Sequence, residues 1–532
     1  TEPGCNRQSE VPYLVCLGIK SLESNLESVD KQPFNYRAKI AAGYSALNLG
    51  LLQSAVNSYV SASNMVPNSW VIRNHLAESQ VDIGAYEEAL EILDGSLAIT
   101  GGTIHSARAF YLRGRALQGL GSSDEAIDAL KHGLSISYSS VSAQASFNLV
   151  REINSKQGVP LDVDYFDKII NETPQDAIAL YLRGLAHRRL GNAESSNSDI
   201  EKSYSLGFTL SEVRANRAYS RFKLGDFGGS RGELANVVAN EPSNGLFNAF
   251  YGEFLMSRQE YALGLNYLEN ANILNPDLNV ASLNRAKIFM TLGLEKPAKE
   301  ILDTLAGSDL PSVQDYIDRG ELHTFFREYE LAISDLDEAI RINPNRSKSY
   351  NARAKTHVSK NDFAFALADL NVALQIDPAD ANYLLNRGVL YGILGEFDQA
   401  ISDLDEAIRL NNSMAESFNA RGEIFAKFSE LESASNDFTT AINKSNLSSY
   451  NLGTGLYHFN RGMVHLRMEL GGRLGNAERS AQDLNTARSL GVVKAPQPES
   501  FFAVYTDTTS PEQDAQILSI LEAERQALRA RQ

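Results

Sequence analysis

Very little in this sequence is chemically special. The 532 residues hold two cysteines, one tryptophan and fifteen prolines. Two cysteines exclude a disulfide-built scaffold, and so few prolines exclude a collagen-like chain. The longest apolar run, roughly residues 11–19, falls short of the ~20 residues that a bilayer-spanning helix needs. Basic side chains are also in deficit, 49 against 66 acidic, and the net charge of −17 argues against a nucleic-acid partner. The eight histidines (75, 105, 132, 187, 323, 357, 458 and 465) never fall in a His-x-x-x-His pair, so a metal site is not expected. There is no Gly-x-x-x-x-Gly-Lys-Ser/Thr loop to cradle a phosphate. No cofactor is expected.

The cysteines, Cys5 and Cys16, both precede the regular part of the chain. Eleven residues apart, they could close a small loop in an oxidising compartment, or stand as unrelated thiols in a reducing one. The chain opens Thr1-Glu2-Pro3 without methionine. This reading leans towards a processed periplasmic or secreted protein over a cytoplasmic one.

What the sequence does have is a ruler. At 532 residues it exceeds what one hydrophobic core supports, leaving several domains or one repeat array. Arginine recurs at 183, 217, 285, 319, 353, 387 and 421, always 34 residues apart or twice that, and Tyr251 fills the skipped slot. Gly184, Ala218, Gly252, Ala286, Gly320, Ala354, Gly388 and Gly422 follow directly. Alanines come twelve places later at 298, 332, 366, 400 and 434. Each unit reads as two helices. Residues 381–394 carry one apolar face, a turn follows at Gly395-Glu396, and residues 397–410 resume with Ala400, Ile401, Leu404, Ala407 and Ile408. Gly388 and Ala400 allow close helix approach, and Pro378 stops the preceding helix.

This pattern resembles the tetratricopeptide repeat. Thirteen units are expected, starting near 36, 70, 107, 143, 177, 211, 245, 279, 313, 347, 381, 415 and 455, the last with a loop insertion at 471–476. The resemblance implies an all-α fold, a right-handed superhelical α-solenoid of helical hairpins. Capping helices are expected at both ends, because a terminal repeat needs a polar cover. The expected divisions are 1–35 with a capping helix, 36–176 of more degenerate repeats, 177–448 of regular repeats, 449–492 holding the last repeat, and 493–532 as connector and capping helix.

Sixteen residues after the arginine stands an acid. The pairs are Arg183 with Asp199, Arg217 with Glu233, Arg319 with Asp335, Arg353 with Asp369, Arg387 with Asp403, Arg421 with Asp437, and Arg461 with Asp483 once the insertion is allowed for. No unit carries the acid alone. An ion pair across the two helices of one repeat is expected, since an unpartnered buried carboxylate is costly. The other reading is a ladder of free carboxylates for a basic ligand. Acid pairs such as Asp403 and Asp405 otherwise read as a solvated face.

Chemistry is harder to find. Gly228-Gly229-Ser230-Arg231-Gly232 matches the Gly-x-Ser-x-Gly elbow, but that elbow needs a preceding strand. Ser230 instead falls in the small-residue slot. The chain is therefore expected to be non-enzymatic. The resemblance implies that first helices line a concave groove for a protein or peptide partner. Its candidate residues are Asn216, Asn284, Asn386 and Asn460, each just before the arginine, with the aromatics Tyr219, Phe222 and Phe250. The aromatics read either as inter-repeat core or as an exposed strip flanked by acids such as Glu253, Asp318, Glu321 and Glu423. The expected function is an interaction scaffold; the alternative is a structural subunit of a larger, possibly envelope or extracellular, assembly that self-associates as a homo-oligomer through solenoid ends or sides.

Overall fold

The computed structural model describes residues 21–29, 35–136, 141–156, 162–445, 452–471, 473, 475–490 and 492. Cys5, Cys16 and the expected C-terminal capping helix lie outside these residues.

Helices follow one another in pairs from Tyr36–Asn48 to Ala477–Ser489, thirteen pairs in all, and no β-strand occurs among the described residues. Eleven of the thirteen first helices begin at the residue that the 34-residue register gives. The other two, Val141–Lys156 and Leu452–Leu470, start two and three residues early. The chain divides into two compact units, one of Thr1–Ala186 with Glu194–Ser220, the other of His187–Ala193 with Arg221–Gln532.

In the first unit, helical residues 21–29 cover the first hairpin, where Asn25 Nδ2 donates to Ala41 O at 3.3 Å and Ser45 Oγ at 3.0 Å. Its C-terminal part is centred on Phe147, Tyr181 and Phe208, whose rings meet edge to face with centroids 5.2–5.6 Å apart.

In the second unit the repeat slots explain the packing. Ala332, Ala366, Ala400 and Ala434 are all fully buried, as are Leu336, Leu370 and Leu404 one turn on. A Cβ on Gly388 would lie 2.9 Å from Leu404 Cγ and 3.1 Å from Ala400 O, so only glycine lets these helices come so close. In the last repeat the small-residue slot belongs to Ser480, whose Oγ donates to Gly462 O at 2.9 Å. The neighbouring Ala481 is exposed.

The turn between the two helices takes a left-handed residue. Gly395 has φ 87°, and the same register position holds Gln259, Arg327, Asn361 and Ser429 at φ 60–68°. Non-glycine residues pay for that conformation in backbone strain.

Candidate functional site

The arginine of each repeat is the most organised polar feature of the structure. Arg353 donates from Nε and Nη2 to the two oxygens of Asp369, at 2.9 and 2.7 Å. Arg183 meets Asp199 at 2.7 and 2.6 Å, and Arg319 meets Asp335 at 2.8 and 2.6 Å. The same fork joins Arg387 to Asp403, Arg421 to Asp437, and Arg461 to Asp483 at 2.6–2.9 Å. Planar guanidinium against planar carboxylate is the strongest common geometry for such a pair. Its hydrogen bonds to Asp369 hold the Arg353 guanidinium well above its ordinary pKa, outweighing burial. Burial pushes Asp483 up, but His458 and Arg461 outweigh it and hold the carboxyl at about 2.

The arginine has a second arm that the sequence reading missed. Its Nη1 points sixteen residues backwards, onto the second helix of the preceding repeat. Arg183 reaches Asp167 at 2.7 Å, Arg387 reaches Asn371 Oδ1 at 2.9 Å, and Arg421 reaches Asp405 at 2.5 Å. Arg353 is paired likewise with Asp337. Asp405, read as part of a solvated face, is thus half of an inter-repeat bridge, though still 55% exposed. The signal was present in the sequence: in Asp335-x-Asp337 and Asp403-x-Asp405 the first acid serves its own repeat and the second serves the next. Arg319 departs from the pattern. It is 1% exposed, and its Nη1 donates to Leu305 O and Ser308 O at 2.6 and 2.8 Å.

The candidate groove residues are placed differently from one another. Asn216, Tyr219, Phe222, Phe250 and Asn284 are all buried. Asn216 Nδ2 donates to Tyr181 Oη and to Glu212 O, both at 2.8 Å. Phe222 meets Phe254 edge to face at 5.5 Å, and Arg188 stands 5.4 Å from the Phe250 ring. Asn284 donates to Glu253 at 3.1 Å. The aromatics are core rather than an exposed strip. Their acidic flanks meet lysines of the chain itself: Lys223 with Glu253 at 2.8 Å, Lys355 with Glu321 at 3.3 Å, and Lys287 with Asp318.

Asn386 and Asn460 are only half-buried and bridge repeats. Asn386 Nδ2 donates to Asn351 Oδ1 at 2.8 Å, and Asn460 Nδ2 donates to Asn419 Oδ1 at 3.1 Å and Glu423 Oε1 at 2.6 Å. Burial pushes the Glu423 carboxyl up to about 8, against the pull of the Asn419 and Asn460 amides.

Neither serine constellation is built for catalysis. Ser230 lies in the helix Phe227–Asn240, fully buried, and its Oγ donates to Asp226 O at 2.5 Å. Ser435, His465 and Asp483 come nearer to a triad, with Oγ–Nε2 at 3.0 Å and Nδ1–Oδ2 at 3.4 Å. However, Asp483 is already held by Arg461 and His458, and Ser435 sits inside the helix Leu431–Lys444, whose amides are tied up in the helical ladder and cannot form an oxyanion hole. No cluster of metal-ligating side chains occurs among the described residues, and no helix among them is long and apolar enough to cross a membrane.

A family model described as "Tetratricopeptide repeat" matches residues 107–139 and 381–414. Among solved structures, the Cut9–Hcn1 hetero-tetramer of the APC/C is similar at 15% identity and TM-score 0.51, covering 84% of this chain and 96% of that one. Yeast Tom70 aligns at 15% identity over 86% of this chain and 99% of its own, with TM-score 0.35. A tetratricopeptide repeat protein from Parabacteroides merdae aligns at 17% identity over 52% of this chain and 98% of its own, with TM-score 0.37. No curated protein sequence matches this chain.

Proposed function

Because this chain is a tetratricopeptide-repeat protein, we propose that it is a non-enzymatic scaffold that binds a protein partner along its first helices, in the stretch from Asn351 to Asn460. One observation carries this choice of surface. The inter-repeat amides Asn386 and Asn460 are half-buried, whereas Asn216 and Asn284 are enclosed by their neighbours. Partly solvated amides exchange water for the backbone of an extended segment at little cost. The lysines already seated on Glu253, Asp318 and Glu321 leave Glu423 as the flanking acid that contacts amides and, among the described residues, no cation, so the partner should bring a hydrogen-bond donor to it.

The test is retention of partners from native extract on the immobilised full chain, compared with Asn386→Ala/Asn460→Ala and with Gln399→Ala on a second helix. The reading requires a partner that the double variant loses and Gln399→Ala keeps. Equal retention on all three refutes it. Light scattering of the purified chain addresses self-association, and a scaffold of this kind should be monomeric alone.

A further inference from the structure

The residue two places after the register arginine alternates in sign along the first helices. It is Lys287, Glu321 and Lys355 after Arg285, Arg319 and Arg353, and Glu253 holds the same place after Tyr251. Three acids on or beside this strip are each met by a lysine of the chain: Glu253 by Lys223 at 2.8 Å, Glu321 by Lys355 at 3.3 Å, and Asp318, three residues before Glu321, by Lys287. Then the alternation stops. The next three residues in this place are Val389, Glu423 and Met463, so Glu423 has an apolar neighbour on either side. What it has instead is amides: its Oε1 accepts from Asn419 Nδ2 at 2.8 Å and from Asn460 Nδ2 at 2.6 Å. Lys427, one turn further along the same helix, donates to Gly392 O at 2.6 Å, and no cation of the described residues acts on the Glu423 carboxyl.

We propose that Glu423 is an ammonium-binding site, filled by a lysine side chain of the partner. This rests on the reading of Asn351 to Asn460 as the partner's surface, and it names the chemistry that the surface recognises. An ammonium brings three donors and needs acceptors. Both amide bonds fall on Oε1; Oε2 takes neither and is not enclosed, so it is open to a donor from outside. The approach is partly solvated as well. Glu423 and Asn460 are half-buried, and Met463, one turn after Asn460, is 38% exposed and offers apolar surface to the methylene stem of a lysine. Burial keeps the Glu423 carboxyl neutral up to about 8. Around it stand Glu416 on its own helix and the Tyr457 hydroxyl on the next first helix, while Arg387, Arg421 and Arg461 are held on their own acids. A bound ammonium favours the ionised carboxylate, so binding expels the carboxyl proton and tightens as pH rises towards 8.

Two measurements on the full chain test it. The first follows the methyl signal of Met463 by NMR, assigned through Met463→Leu, during titration with Nα-acetyl-lysine N-methylamide against sodium chloride of equal ionic strength. The signal should move saturably, with a midpoint roughly tenfold lower at pH 8 than at pH 6. It should stay still with the ε-acetylated compound and in Glu423→Gln. No saturable movement at pH 8, a midpoint that ignores pH, or movement that survives ε-acetylation or Glu423→Gln overturns the proposal. A lower midpoint for glycine N-methylamide, whose ammonium mimics a chain terminus, overturns the lysine assignment. The second is a cycle of Met463→Lys, Glu423→Gln and both. Met463→Lys should raise the melting temperature at pH 8 by about 1–2 °C with Glu423 present and not with Glu423→Gln; zero coupling overturns the proposal. The partner reading fails separately. If the probe binds but Asn386→Ala/Asn460→Ala retains every partner, the ammonium site stands without the partner; if the double variant loses its partner but the probe does not bind, the ammonium site falls alone.

Discussion

Removing Asp369 should cost more than removing it together with its arginine. Asp369 is 8% exposed and takes two hydrogen bonds from Arg353, which is itself 23% exposed. Breaking a fully buried pair from one side costs about 3–5 kcal/mol; since Arg353 keeps Asp337 and some water, about 2 kcal/mol is expected for Asp369→Leu. Arg353→Met strands a buried carboxylate and should cost about as much, while Arg353→Met with Asp369→Leu should cost roughly 1 kcal/mol, because a well-packed apolar pair nearly replaces a buried ionic one. The coupling is then about 3 kcal/mol. The outer arm supplies the control. Asp337 is 54% exposed, and its coupling to Arg353 should be about 0.5 kcal/mol and fall with salt. A repeat array need not unfold in one step, so the readout is native-state hydrogen exchange of the amides in Phe363–Ile376, with urea unfolding beside it. If the inner coupling is no larger than the outer one, the account of the arginine as a buried clamp fails.

Two glycines seven residues apart should fail for different reasons. Gly388→Ala brings a Cβ within 2.9 Å of Leu404 and should cost about 1–3 kcal/mol by overpacking. Gly395→Ala meets nothing within 4 Å but must hold φ 87°, so about 1 kcal/mol is expected from backbone strain alone; urea midpoints separate the two, and Leu404→Ala should relieve only the first. The titrations of two carboxyls run in opposite directions. Glu423 has a raised folded pKa, so its stabilisation is complete below pH ~4.5 and is lost as pH rises towards about 8; Glu423→Gln should flatten that decline in thermal melts. Asp483 has a depressed folded pKa, so its contribution is complete above pH ~4 and is lost as pH falls towards about 2; Asp483→Asn should remove that part of the acid limb.

The helical register was legible because buried small residues cannot drift: Gly388 has no room for a Cβ beside Leu404, and Ala400 and Ala407 are fully buried. In the last repeat the slot passes to Ser480, since serine and alanine fill nearly the same space and only the hydroxyl's bond to Gly462 O distinguishes the two neighbours Ser480 and Ala481. Asp405 reads as a solvated acid because its partner, Arg421, lies in the next repeat, outside the unit to which Asp405 belongs. Phe250 reads as a groove residue from its register, although its helix Gly245–Ser257 is apolar at most positions and buried along nearly its whole length, which is the mark of an enclosed helix. Sequence periodicity places a side chain on a face; whether another part of the chain already covers that face depends on contacts between repeats, which periodicity does not carry.

The backward reach of the arginines also sets how force would travel along the second unit. Between Val313 and Leu470 each successive hairpin is pinned to the last by the Nη1 of Arg353, Arg387, Arg421 and Arg461, so bending one joint there must break that outer bond while the fork stays with its own repeat. At Arg285 the outer bond is the longer one to Asn272, and Asn284 also spans that junction to Glu253. Under tension or twist the hairpins from Val313 to Leu470 should resist bending through these repeated outer bonds.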